Sequence, residues 1–163
     1  MNLCNPRSRS RRRLAIAGLA AAWLLSLRAA DTSYLGIWKI ASAVPAPWAN
    51  PNPPDSKEMK SLTGKTLVFR PGAIEGPGIL GCKGPHYRVV DVPAEGLFQG
   101  AFEEMHSKDA KADPRKLAEK VGFQGTHWKS LQTGCANELD FHFLDPATAA
   151  FGLNDWVYTI RKQ

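Results

Sequence analysis

Residues 139–143 (Leu-Asp-Phe-His-Phe) set Leu139, Phe141 and Phe143 in strict alternation with Asp140 and His142. Side chains alternate across a strand, so this run buries one face and turns Asp140 and His142 to the other, toward solvent or a polar lumen. Asp145-Pro146 then turns the chain. Residues 150–153 and 156–160 flank Asn154-Asp155, a pair that tolerates the left-handed backbone of a tight hairpin. Residues 34–40 (YLGIWKI), 65–70 (KTLVFR, closed by Pro71-Gly72) and 86–92 (HYRVVDV) are further short strands rich in β-branched and aromatic residues. Such strands read as antiparallel, and a small barrel or strongly curved sheet is the economical way to protect their edges. A mainly β fold with one or two short helices is expected.

The helices are few because the signals for them are few. Asp113 is a good N-cap, Pro114 suits the first helical position and Leu117 and Val121 share a face, so the pattern predicts a helix ended by Gly122. Asp55-Ser-Lys-Glu58 resembles a capping box in which the Asp55 side chain accepts from the backbone at Glu58. The helix it opens would carry Met59 and Leu62 inward and stop at Gly64. Residues 97–105 are ambiguous, since Leu97, Ala101 and Met105 have helical spacing while Gly100 weakens a helix. Residues 43–54 hold five prolines in twelve positions and form no regular element; Trp48 within them favours a packed loop. Residues 76–85 hold four glycines and two prolines around Cys82, without a phosphate-loop pattern.

Charge divides the chain in two. Its 163 residues carry a formal charge of +6, but residues 1–30 contain six arginines and no acid. Residues 31–163, enough for a single β-rich domain, are left electrically balanced. The basic run ends at Arg13 and is followed by a charge-free stretch over residues 14–27 (LAIAGLAAAWLLSL), too short to span a bilayer and apt for an export signal. Ser10-Arg11-Arg12-Arg13-Leu14 looks like a twin-arginine core. The twin-arginine and general secretory routes both stay open. Arg28 or Leu27 stands where a small residue favours cleavage, so an uncleaved membrane anchor is the alternative to a periplasmic or secreted protein. Cys4 precedes the apolar stretch and cannot be an acylated lipoprotein cysteine.

Removing the leader leaves Cys82 and Cys135, two thiols in an oxidising compartment. A bridge between them closes a loop of about 54 residues, worth on the order of 4 kcal/mol. The competing use is metal ligation with His86, although Cys82-Lys-Gly-Pro-His86 lacks a tight ligand pair. No cofactor is implied. Nucleic-acid binding loses its support with the leader, because no basic cluster longer than Arg115-Lys116 precedes Arg161-Lys162.

Gly36-Ile37-Trp38 on the first strand, with Arg161 on the last, resembles the Gly-x-Trp signature of lipocalins and the wider calycin superfamily. The resemblance implies a barrel closed at one end by Trp38, with Arg161 stacked over the indole and fixing first strand to last. It further implies a cup for a small ligand or an outer surface for a partner protein.

Three functions follow. The first is an exported β-barrel protein that binds a small, partly apolar molecule at the barrel mouth, using Trp48, Tyr87, Trp128 and His142. The second is a protein–protein module, such as an inhibitor of an envelope enzyme, whose Gly-rich and Pro-rich loops form the contact. A lumen filled with large side chains favours this second reading. The third is a hydrolytic or metal enzyme built on His86, Asp140 and His142. Gly-x-Ser-x-Gly is absent and no catalytic residue is assigned.

Overall fold

The alternation in the sequence becomes nine short strands in the computed structural model, which describes residues 31–50 and 53–163. The leader, Cys4 and the cleavage region lie outside the described residues. The elements are β1 (Gly36–Pro45), α1 (Lys57–Leu62), β2 (Thr66–Arg70), β3 (Ala73–Glu75), β4 (Cys82–Lys83), β5 (Arg88–Val92), α2 (Ala101–Lys108), α3 (Pro114–Lys120), β6 (Trp128–Gln132), β7 (Asp140–Asp145), β8 (Thr148–Leu153) and β9 (Trp156–Lys162). They form one antiparallel sheet in the order β4-β3-β2-β1-β9-β8-β7-β6-β5. Asp113 caps α3 as expected, its carboxylate accepting from Arg115 N at 2.9 Å. Asp55 instead accepts from Lys57 N at 3.0 Å, a turn formed one residue short of the expected capping box. Glu58 is thereby free to reach the last hairpin, where it accepts from the Tyr158 hydroxyl at 2.9 Å.

The sheet curls into a half-barrel. Phe69 on β2 and Phe141 on β7 are separated by three strands, yet their rings meet edge-on with centroids 4.9 Å apart. They can touch only across the inside of the curl. Side-chain links join the two ends of the curl. Cys82 is bonded to Cys135 across a Cα–Cα distance of 6.1 Å, and the Tyr87 hydroxyl donates to the Arg70 carbonyl at 3.0 Å.

Inward-facing Trp38, Leu67, Phe69, Phe141, Phe151 and Tyr158 fill the concave side. Burying such a side chain contributes roughly 1.5–3 kcal/mol, so this core is the main stabilising feature of the fold. The outward row of β5–β9 carries a second core. There Ala150, Val157 and Trp128 pack under Leu97, Phe98 and Phe102, with Leu117 and Phe123 alongside. Gly152 on β8 makes the close approach possible: a Cβ there would lie 3.1 Å from Trp48 and 3.3 Å from Phe98.

This second layer corrects the reading of Asp140 and His142. They do face away from Phe141, but His142 meets neither solvent nor a lumen, and Asp140 meets solvent only in part. His142 is wholly buried and Asp140 half-buried. The strand period assigns a residue to a face; it carries no information about what covers that face.

The cation over Trp38 also differs from the expected one. Trp38 is paired in register with Lys162, whose Nζ lies 5.7 Å from the ring centroid. Arg161 stands opposite Lys39 and projects from the convex face. Ile160 points inward, so the period of two sends Arg161 out and Lys162 in. Gly36 beside it has φ +124°, a backbone that favours glycine. Lys162 Nζ also donates to the Ser33 carbonyl, and the Trp38 indole donates to the Tyr34 carbonyl at 2.8 Å.

Candidate functional site

With the concave side filled, recesses lie at its rim and outside it. The rim cleft has a volume of about 360 Å³ and sits where the inner row of β5–β7 runs out. Val89 and Phe143 form its apolar floor, Trp128 stands at its edge, and Asp31, Lys129 and Asp145 bring charge. Lys129 follows the same inward row as buried Leu131 and reaches past the end of the sheet to Asp31 at 3.1 Å. Asp31 is held down at about 2, chiefly by hydrogen bonds from the Ser33 hydroxyl and backbone and then by Lys129.

The second recess, about 440 Å³, lies between α2 and the end of β8 and is lined by Trp48, Phe98, Gln99 and Met105. Trp48 is packed, as its place in a proline-rich loop suggests. Its indole donates to the Asn154 carbonyl at 2.8 Å, and its ring lies 5.4 Å from Phe98. The four residues expected to share a ligand are therefore dispersed. Trp128 lines the rim cleft, Trp48 lines the α2 recess, Tyr87 seals the seam of the half-barrel, and His142 is beneath the outer layer. Burial pushes the Tyr87 phenol up to about 12.

His142 is wedged between β6 and the turn that precedes α2. The Phe98 backbone N–H donates to its Nε2 at 2.8 Å, and its Nδ1 lies 2.5 Å from Ser130 Oγ. A backbone N–H can only donate, so Nε2 is unprotonated and the neutral ring carries its proton on Nδ1, toward Ser130. Burial holds the pKa down at about 3. The serine–histidine contact has the composition of a nucleophile and its base, but not the access. Both residues are sealed, and the second ring nitrogen is committed to backbone. What it does is hold a strained turn. Phe98 and Gln99 adopt left-handed backbone at φ 52° and 57°, each at a cost of about 1–2 kcal/mol. The hydrogen bond to His142 and the burial of Phe98 against Phe102 and Phe123 offset that cost.

His86, the third member of the expected enzyme set, is exposed at the seam, where its backbone N–H donates to the Thr133 carbonyl at 2.7 Å. Among the described residues no group of three His, Cys, Asp or Glu side chains is placed to hold a metal ion. No helix among them is long and apolar enough to cross a membrane.

A third feature escapes strand and helix patterns altogether. The Gly-rich segment before Cys82 folds back on itself through a 3-10 turn, Gly78–Leu80. Leu80 is buried in the inner core while Ile79 is 58% exposed. The disulfide ties this loop to Cys135, and the Asn137 amide of the same segment donates to the Ile79 carbonyl at 2.7 Å. Gly76 leaves room beneath it, since a Cβ would come within 2.4 Å of Leu67 Cδ2 and that buried side chain would have to shift. The clustered glycines around Cys82 are the sequence signal for this loop; nothing local distinguishes Ile79 from Leu80. No family model, curated protein or solved structure matches the chain.

Proposed function

We propose that this protein is an exported, disulfide-stapled binding module that recognises a partner protein of the cell envelope through the loop around Ile79. The observation that carries the reading is a large aliphatic side chain held in solvent on a main chain tied to residues 135–137 by the disulfide and the Asn137 amide. A loop already in its bound shape loses little entropy on docking, so one exposed anchor can be effective. The filled concave side argues in the same direction, because it leaves no lumen for a ligand. The Arg-rich leader and the disulfide support an extracytoplasmic location.

The partner would present an apolar pocket for Ile79. The test is crosslinking in the producing cell followed by mass spectrometry, with wild type, Ile79→Asp and a Cys82→Ser/Cys135→Ser double variant. A crosslinked protein lost in Ile79→Asp, with thermal stability unchanged, is the expected result. Equal crosslinking by wild type and Ile79→Asp would refute the loop as the contact.

The rim cleft favours a second reading, a small and partly apolar ligand lying on Val89, Phe143 and Trp128 with Lys129 or Asp31 at its polar end. Native mass spectrometry of protein purified from the envelope separates the two readings. A small molecule that is retained, and is lost on filling the cleft with Ser33→Trp, selects this one.

A further inference from the structure

Among the described residues the layer of helices covers the convex face over β5–β9 and leaves the outward rows of β1–β4 largely exposed. The exposed part presents Ile37, Lys39 and Val44 from β1, Thr66 and Val68 from β2, and Arg161 from β9. Ile37 is 51% exposed and Val44 43%, flanking Lys39 on the same strand. Lys39 and Arg161 stand directly opposite each other in register, an arrangement of like charges that costs stability. Among the described residues neither is in an ion pair, and neither is Lys83 on β4. The one acid of these rows, Glu75, is taken by Arg70 at 2.7 Å. Asp145 interacts electrostatically with Arg161 and is also held by the Ala147 N–H. An electrically balanced domain thus gathers Lys39, Lys83 and Arg161, none of them in an ion pair among the described residues, beside exposed aliphatic side chains on one surface.

We infer that this half of the convex face docks on an anionic lipid bilayer. The charge excludes a second copy of the chain, whose identical face would repel it. A convex sheet offers projecting side chains rather than a recess, which suits headgroups spread in a plane: cations meet lipid phosphates while Ile37 and Val44 enter the interface.

Asp31–Gln163 contain both cores, every strand and the disulfide, and can be tested alone. The measurement is co-flotation with phosphatidylcholine vesicles, with and without phosphatidylglycerol, at low salt and at about 0.5 M NaCl. Binding is expected only with phosphatidylglycerol and only at low salt. It should fall about tenfold or more in Lys39→Glu/Arg161→Glu, and about threefold in Ile37→Ser, with unchanged thermal midpoints. No binding at low salt overturns the inference, as does equal binding by the charge-reversed variant. Binding to soluble heparin without binding to vesicles also overturns it, in favour of a soluble polyanion. Vesicle binding by the full chain but not by Asp31–Gln163 assigns the membrane to the leader alone. Cell fractionation tests export independently of all these outcomes.

Discussion

Acid should unfasten the outer layer of this protein through His142, by an amount the structure allows to be worked out. In the unfolded chain a histidine titrates near 6.5; in the folded protein burial holds His142 at about 3. Because the folded pKa is the lower one, the unfolded state takes up the proton first. The contribution of His142 to stability is complete above pH 6.5 and is lost as pH falls toward 3, at about 1.4 kcal/mol per pH unit. By pH 4.5 the loss is about 3 kcal/mol, a large part of the stability of a domain this size. Protonation of Nε2 also sets a donor against the Phe98 N–H, so the left-handed turn at Phe98–Gln99 loses its tether. The assay is urea unfolding at intervals between pH 7 and 4.5, comparing wild type with His142→Gln, whose amide oxygen can still accept from Phe98. The variant is expected to be less stable at pH 7 by about 1–3 kcal/mol and to show a shallower decline below pH 6.5. Asp140 sits on the same face and burial raises its pKa, which opposes the trend, but it is present in both proteins and cancels in the difference. Parallel curves from pH 7 to 4.5 would show that His142 is not the buried neutral acceptor derived from its contacts.

Three further predictions rest on separate parts of the fold. Reduction, or Cys82→Ser/Cys135→Ser, should cost about 4 kcal/mol in urea unfolding, since the bridge closes a long loop and joins the seam of the half-barrel. Lys162→Ala should lower stability by about 0.5–1 kcal/mol and shift the fluorescence of Trp38, whereas Arg161→Ala should do neither; the reverse result would return Arg161 to the indole. Gly152→Ala should cost about 1–3 kcal/mol and shift Trp48 emission to the red, because the added methyl meets the Trp48 and Phe98 rings at 3.1–3.3 Å. A thermal midpoint equal to wild type would mean that those rings move aside freely.

Local chemistry was enough to read much of this molecule from its sequence. Asp113-Pro114 starts α3, Asn154 takes the left-handed turn of the last hairpin at φ 50°, and alternation marks β7, because each depends on residues within a few positions of one another. Parity of the two cysteines outside the basic N-terminal segment, likewise, anticipates their bond. The sites were less legible. Trp48, Tyr87, Trp128 and His142 look alike as aromatic candidates, and only their neighbours in space separate packing from surface. Phe98–Gln99 gives no local sign of left-handed backbone, since a buried acceptor from a distant strand stabilises it.

Short segments and totals specify a β-rich domain of balanced charge, with an even pair of cysteines, after a basic N-terminal stretch, because alternation, turn chemistry and composition are properties of such segments and totals. Tertiary structure decided which face of β7 is covered, which of two adjacent cations reaches Trp38, and that Lys39 and Arg161 stand side by side. Those outcomes depend on contacts between segments distant in the chain, and a strand's period of two specifies faces without naming the neighbour that meets them.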